Sequence, residues 1–165
     1  MFSVVFPGQG SQKIGMAKEF YEKYEKVKKL FKDADSILGL PISTIILEGP
    51  ENKLNLTENT QPAIFLTSYS IFKIAQEEYG LDFNKAKFIA GHSLGEYSAL
   101  CCFGAISFED TLNTLKKRGK FMQEAVPANQ GSMLAVLGTR LKIIEDIIKS
   151  ENQECYIAND NSPQQ

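Results

Sequence analysis

The sequence contains no tryptophan, one histidine and only three cysteines in 165 residues. The cysteines are Cys101, Cys102 and Cys155, and this odd number with two neighbours excludes both a disulfide framework and a Cys-x-x-Cys metal pair. No apolar run approaches the length of a membrane span, and the short one at 2–7 follows no basic region, as a secretion signal would. We therefore expect a cytoplasmic protein with reduced thiols and no membrane partner.

The sequence also lacks a large excess of charge of either sign. Lysine and arginine number 18 against 20 aspartates and glutamates, which gives a net charge of -2 and leaves no basic excess for a nucleic acid backbone. Hydrophobic residues make up 43% and charged residues 23%, which is typical of folded globular chains. The length is enough for one domain with a core but short for two complete ones.

Strand and helix patterns alternate along the chain. Apolar or β-branched runs predict strands at 3–6, 86–90, 132–137 and 155–158. Helical spacing predicts helices at about 16–38, 61–79, 93–102, from 107 or 108 to about 126, and after Thr139, where Leu141, Ile144, Ile147 and Ile148 should face inward. This alternation indicates an α/β fold with a mainly parallel sheet.

The segment Gly91-His92-Ser93-Leu94-Gly95 matches the pattern G-x-S-x-G between a predicted strand and a predicted helix. Such a sharp turn lifts the serine above the sheet at a helix N-terminus, where it can act as a nucleophile. The Leu94 N–H would donate to the oxyanion that forms. Two glycines around a serine also occur in ordinary turns, but the flanking strand and helix favour the nucleophile elbow.

A nucleophilic serine needs a general base, which is normally a histidine later in the chain. The only histidine is His92, and its place inside the elbow should turn its side chain away from the Ser93 hydroxyl. Hydrogen bonding that orders the turn is the favoured role for His92. Glu96 is expected to be solvated or to stabilise the turn. The sequence therefore predicts a nucleophile without its base.

Two further features are ambiguous when read from the residues alone. The loop Gly8-Gln9-Gly10 has the backbone freedom to bring a second amide to the oxyanion, but it also fits an ordinary turn, and it lacks the third glycine of a dinucleotide fingerprint. Arg118 lies among Lys116, Lys117 and Lys120, so a solvated basic face is its simplest interpretation.

Four segments match motifs of one known family, namely FPGQGSQ at 6–12, NTQPA at 59–63, GHSLGEYSAL at 91–100 and RGKFMQEAVP at 118–127. On these motifs the chain resembles the malonyl-CoA:acyl carrier protein transacylases over essentially its whole length. The resemblance implies transfer of malonyl from coenzyme A to the phosphopantetheine thiol of acyl carrier protein, through an acyl-serine intermediate, in fatty acid biosynthesis. No cofactor or metal is expected.

The resemblance also implies roles for individual residues. Ser93 would carry the acyl group, and the amides of Gln9 and Leu94 would form the oxyanion hole. Arg118 would hold the malonyl carboxylate with its planar pair of donors. Gln61 is expected beside the arginine.

His92 is expected with Gln61 among the substrate-site residues. Leu94 is the residue seen in malonyl-selective members of the family, so malonyl is the expected acyl group.

In fold terms, the resemblance implies part of an α/β-hydrolase-like subdomain at 1–127 and the beginning of a small ferredoxin-like subdomain at 128–165. Family members continue well beyond this length and carry their catalytic histidine there, so the chain is expected to match their N-terminal part and to be inactive without a C-terminal remainder. A start just before the first motif suggests a free-standing enzyme.

Two other functions remain open at this point. One is a serine esterase or thioesterase on the same elbow, and the other is a non-catalytic fragment that binds coenzyme A or carrier protein.

Overall fold

The computed structural model describes residues 1–126, 130–151 and 154–165. Contacts divide the chain into two compact units, Met1–Pro127 and Ala128–Gln165. Whether these units are the hydrolase-like and ferredoxin-like subdomains stays a prediction. The elements of the first unit are β1 (Phe2–Phe6), α1 (Lys18–Lys23), α2 (Glu25–Leu38), α3 (Ile42–Leu47), α4 (Glu51–Leu54), α5 (Thr57–Glu77), β2 (Ala86–Gly91), α6 (Leu94–Cys102) and α7 (Phe108–Ala125).

The two strands pair in parallel, with Val4 opposite Ile89 and Phe6 opposite Gly91. Parallel neighbours need a crossover connection, and helices α1 to α5 supply it. The sheet therefore brings the carboxyl end of β1 beside the carboxyl end of β2. This arrangement confirms the predicted α/β class with a parallel sheet.

Helices α2, α5 and α7 form the centre of the first unit. Their apolar stripes meet in one buried cluster, whose fully buried members include Val27, Phe31, Phe65, Leu112 and Leu115. The ammonium of Lys116 on α7 donates to the carbonyl of Leu38, the last residue of α2. A cation at this position also suits the negative end of the α2 dipole.

Three details of the helix prediction were wrong. The helix expected at 16–38 is divided at Tyr24, whose extended backbone (φ -118°, ψ 116°) separates α1 from α2. Helix α5 begins at Thr57 rather than Gln61, so Pro62 lies inside the helix and not in its first turn. The short helices α3 and α4 fill a segment where no element was predicted.

Among its described residues, 130–151 and 154–165, the second unit contains one helix, α8 (Leu141–Glu151). Ile144 and Ile148 are half-buried as expected, whereas Leu141 and Ile147 are exposed. The strands predicted at 132–137 and 155–158 are not formed. A strand needs a neighbour for its backbone N–H and C=O groups, and within the described residues neither segment pairs with another strand.

Nowhere in residues 1–126, 130–151 and 154–165 does a helix combine the length and hydrophobicity needed to span a membrane.

Candidate active site

Ser93 occupies the turn between β2 and α6, and its backbone is in an unusual conformation. Its φ is 55° and its ψ is -112°, a region that residues with a β-carbon rarely enter and that costs about 1–3 kcal/mol. Such strain is typical of a nucleophile elbow. Ser93 lies at the N-terminus of α6, and the N–H of Leu94, the first helical residue, has no acceptor inside the helix.

Close backbone packing explains both glycines of the elbow. A β-carbon on Gly91 would lie 2.1 Å from the carbonyl carbon of Gly95, and one on Gly95 would lie 2.4 Å from the Phe6 carbonyl oxygen. Both contacts are with backbone atoms, which cannot move aside cheaply. Glycine at 91 and 95 therefore allows β1, β2 and the start of α6 to cross at one point.

The loop after β1 packs against the elbow. The N–H of His92 donates to the Phe6 carbonyl at 3.1 Å, and a β-carbon on Gly8 would lie 2.4 Å from Nδ1 of His92. The imidazole therefore packs over Gly8. Gln9, the next residue, is exposed, and its side chain donates to Thr57 Oγ1 at 3.4 Å. His92 thus connects the elbow, of which it is a part, to the loop that carries Gln9.

Arg118 on α7 bridges Ser93 and Gln61. Its Nη2 donates to Ser93 Oγ at 3.0 Å, and its Nη1 donates to Gln61 Oε1 at 2.7 Å. The guanidinium carbon also lies 5.8 Å from the centre of the Tyr97 ring, within cation–π range. Gln61 is fully buried. The guanidinium therefore lies beside the serine in a fixed orientation. Arg118 does not belong to a solvated basic face, which was its simplest interpretation from the sequence.

Gly119 explains how α7 comes close enough to α5 for this contact. A β-carbon on Gly119 would lie 2.5 Å from the Thr57 carbonyl oxygen and 2.6 Å from Glu58 Cα. The two helices therefore touch through backbone next to Arg118. Because Gln61 lies one turn after Thr57 on α5, the same close approach brings its amide to the guanidinium.

The cysteines offer no comparable nucleophile. Burial raises the pKa of the Cys101 and Cys102 thiols, so both stay protonated near neutral pH. Cys155 is exposed and lies in the second unit. Within the part of the chain that the structure describes, no three histidine, cysteine, aspartate or glutamate side chains are grouped to hold a metal ion.

Two members of the site were missed in the sequence. Met122 lies four residues after Arg118 on α7, and its Sδ accepts from Gln61 Nε2 at 3.2 Å. Tyr97 lies four residues after Ser93 and packs against the guanidinium. The spacing of four, which places residues on one helix face, was the available signal for both.

Comparison with known proteins identifies what the chain is similar to. The model of the acyl transferase domain family matches residues 3–165. The malonyl CoA-acyl carrier protein transacylase of Bacillus subtilis strain 168 is 47% identical over 98% of this chain and 50% of that protein. The transacylase of the same name from Escherichia coli K12 is 40% identical over 99% of this chain and 53% of that protein. The chain thus spans about half the length of these relatives.

Solved structures agree with the sequence comparison. The acyl-carrier-protein-S-malonyltransferase of Bartonella henselae matches with a TM-score of 0.88 and 44% identity, covering 98% of this chain and 52% of that one. A malonyl-transacylase solved in complex with a type II polyketide acyl-carrier protein matches with a TM-score of 0.82 and 40% identity, covering 90% of this chain and 47% of that one.

Proposed function

The chain belongs to the acyl transferase domain family, and on this premise we propose that it supplies the acyl-accepting serine and the substrate-binding residues of a malonyl-CoA:acyl carrier protein transacylase. The observation that carries the proposal is the hydrogen bond from Arg118 Nη2 to Ser93 Oγ at 3.0 Å. A cation beside the nucleophile is the group needed to recognise an acyl chain that ends in a carboxylate.

Ser93 Oγ attacks the thioester carbonyl of malonyl-CoA, and its proton passes to a general base. The tetrahedral oxyanion then collapses, the carbon–sulfur bond breaks, and the coenzyme A sulfur leaves with a proton returned by the base. In the second half-reaction the phosphopantetheine thiol of acyl carrier protein attacks the acyl-serine by the same steps in reverse. Malonyl is thereby transferred and Ser93 is regenerated.

The oxyanion hole consists of two backbone amides. The Leu94 N–H lies at the positive end of α6, where the helix dipole favours negative charge. The Gln9 N–H is the second donor. The packing of Gly8 against His92 supports this assignment, because the contact holds the loop beside the elbow.

Arg118 binds the malonyl carboxylate. In the free site its two terminal nitrogens donate to Ser93 Oγ and Gln61 Oε1. When substrate binds, the carboxylate takes over the donor that faces the serine, which also frees the hydroxyl for attack. Acetyl-CoA has no group for this position and leaves the positive charge of the guanidinium without a carboxylate partner, so the site prefers malonyl.

The remaining role is that of the general base that accepts the Ser93 proton. His92 is the only histidine in the 165 residues, and it packs over Gly8. We assign it, with Gln61, to the lining of the substrate site. From the resemblance to the family, we propose that the base is a histidine outside this segment. The reaction belongs to fatty acid biosynthesis, and we propose a cytoplasmic location, which suits the free thiols of Cys101 and Cys102.

The test uses a chimera in which residues 1–165 replace the matching half of the Bacillus subtilis transacylase. The chimera is incubated with malonyl-CoA, and the adduct is located by peptide mass spectrometry. We expect malonyl on Ser93, no label in Ser93→Ala, and transfer to carrier protein that exceeds release to water. Label on another residue would overturn the assignment of Ser93. Release to water faster than transfer would instead indicate a thioesterase, and binding without any label a non-catalytic module.

Arg118→Ala tests substrate selection in the same chimera. We expect kcat/KM for malonyl-CoA to fall by about 100-fold or more, since the charge-assisted contact with the carboxylate is lost. The value for acetyl-CoA should change little. Lys117→Ala, on the same helix and exposed, is the matched control. An unchanged malonyl-to-acetyl ratio would show that Arg118 does not select the acyl group.

A further inference from the structure

Met122 ends a chain of contacts that begins at the nucleophile. Ser93 Oγ accepts from Arg118, Arg118 donates to Gln61 Oε1, and Gln61 Nε2 donates to Met122 Sδ at 3.2 Å. Both ends of the Gln61 amide are therefore held by α7, from positions 118 and 122. The amide itself projects from α5.

The chemistry of the two partners fixes which way this amide faces. A guanidinium only donates hydrogen bonds, and a thioether sulfur only accepts them. Turning the amide over would oppose the NH2 group of Gln61 to the guanidinium and the amide oxygen to the sulfur. Arg118 and Met122 together thus allow a single orientation, in which Oε1 faces Arg118.

Burial explains why the sulfur matters for Gln61. The side chain of Gln61 is 0% exposed, so water cannot replace a lost partner of Nε2, and an unsatisfied buried donor is costly. Met122 is 46% exposed and gains only part of the burial that a core methionine would. What Met122 specifically contributes at this position is a sulfur that accepts the hydrogen bond from Gln61 Nε2.

We propose that Met122 is a positioning residue for acyl selection: its thioether orients the Gln61 amide, which in turn holds Arg118 for the malonyl carboxylate. Without the sulfur, the amide shifts to find another acceptor, and Oε1 no longer fixes Nη1 of the guanidinium. Arg118 then keeps its charge but loses its set direction. The selectivity part of this inference rests on the proposed function, whereas the orientation of Gln61 does not.

The first experiment measures that orientation in the 165-residue chain without ligand. The side-chain NH2 signals of Gln61, identified by their loss in Gln61→Met, are recorded by 15N–1H NMR. In Met122→Leu, which removes the acceptor at similar volume, we expect the two signals to move and their exchange with water to quicken. Met122→Gln restores an acceptor and should restore slow exchange. Signals that are unchanged in Met122→Leu would overturn the inference.

The second experiment measures selection in the chimera. Met122→Leu should lower the malonyl-to-acetyl ratio of kcat/KM by about fivefold to tenfold, the cost of one weakened hydrogen bond to a charged group. Met122→Gln should recover most of the ratio, and Met133→Leu, an exposed methionine of the second unit, should leave it unchanged. A ratio that Met122→Leu does not alter would also overturn the inference.

The two failures can be told apart. A chimera that forms no acyl-serine at all refutes the proposed function, while the NMR result still decides whether Met122 orients Gln61. Normal acylation together with a Gln61 amide that is indifferent to Met122→Leu refutes the inference alone.

Discussion

Gln12 links the loop after β1 to Asn55, two residues before α5: its Nε2 donates to Asn55 Oδ1 at 2.9 Å, while its Oε1 accepts from the Gly10 N–H at 2.8 Å. The side-chain amide of Gln12 therefore forms a hydrogen bond within the loop and also anchors the loop to Asn55. The Ser11 hydroxyl donates to the Gly8 carbonyl at 2.9 Å and tightens the same turn. Gln9, whose backbone N–H we assign to the oxyanion hole, lies in the loop between these contacts.

Gln12→Ala is expected to slow acylation of Ser93 by about tenfold, because the loop loses both contacts and the Gln9 amide is no longer preorganised. The KM for malonyl-CoA should change little, since Arg118 is untouched. Single-turnover acylation of the chimera measures the effect. Gln76→Ala removes an exposed glutamine of α5 and serves as the control. Equal acylation rates in the two variants would contradict the role given to Gln12.

Gly119→Ala should change the free energy of unfolding, and the sign of the change tests the contact between α5 and α7. Helix propensity alone favours alanine over glycine by about 1 kcal/mol, so an open position would become more stable. The added β-carbon would however lie 2.5 Å from the Thr57 carbonyl oxygen, and overpacking of this kind costs about 1–3 kcal/mol.

We therefore expect Gly119→Ala to lower the free energy of unfolding in urea titrations of the chain. Thr114→Ala, at an exposed position of the same helix, is the control and should shift stability by no more than about 0.5 kcal/mol. A more stable Gly119→Ala variant would mean that α5 and α7 do not meet through backbone at this point.

The strained backbone of Ser93 should lower the stability of the protein. Ser93→Ala and Ser93→Gly both remove the hydroxyl, but only glycine adopts a φ of 55° without a steric cost. Ser93→Gly should therefore be the more stable variant, by about 1–3 kcal/mol. Urea titrations of the two variants give this difference directly, and equal stabilities would argue against backbone strain at the elbow.

The sequence revealed the local parts of the site better than its long-range contacts. The elbow could be predicted because the glycines at 91 and 95, the strand before them and the helix after them are neighbours in the chain. The contact between Arg118 and Gln61 joins residues 57 positions apart and depends on a close helix crossing at Gly119. From spacing alone, Arg118 belonged to a solvated basic face.

The α/β class was predicted correctly, and the helix and strand details that were wrong have a similar cause. The predicted helix at 16–38 is interrupted at Tyr24, and its continuous amphipathic pattern gave no sign of this break. The segments at 132–137 and 155–158 have strand-like composition but remain irregular. Strand formation depends on a partner elsewhere in the fold, and local composition does not report whether that partner is present.

The last prediction concerns turnover by the isolated 165-residue chain. Its only histidine packs over Gly8, so Ser93 is expected to lack a base for its proton. Removing a member of a catalytic triad typically leaves only about 10³ to 10⁴-fold catalysis over water. We therefore expect steady-state malonyl transfer at least about 1,000-fold below that of the chimera. Transfer to carrier protein by the two proteins, assayed side by side, measures the difference. Comparable turnover that disappears in His92→Ala would show that His92 is the base, and comparable turnover that survives this substitution would require another one.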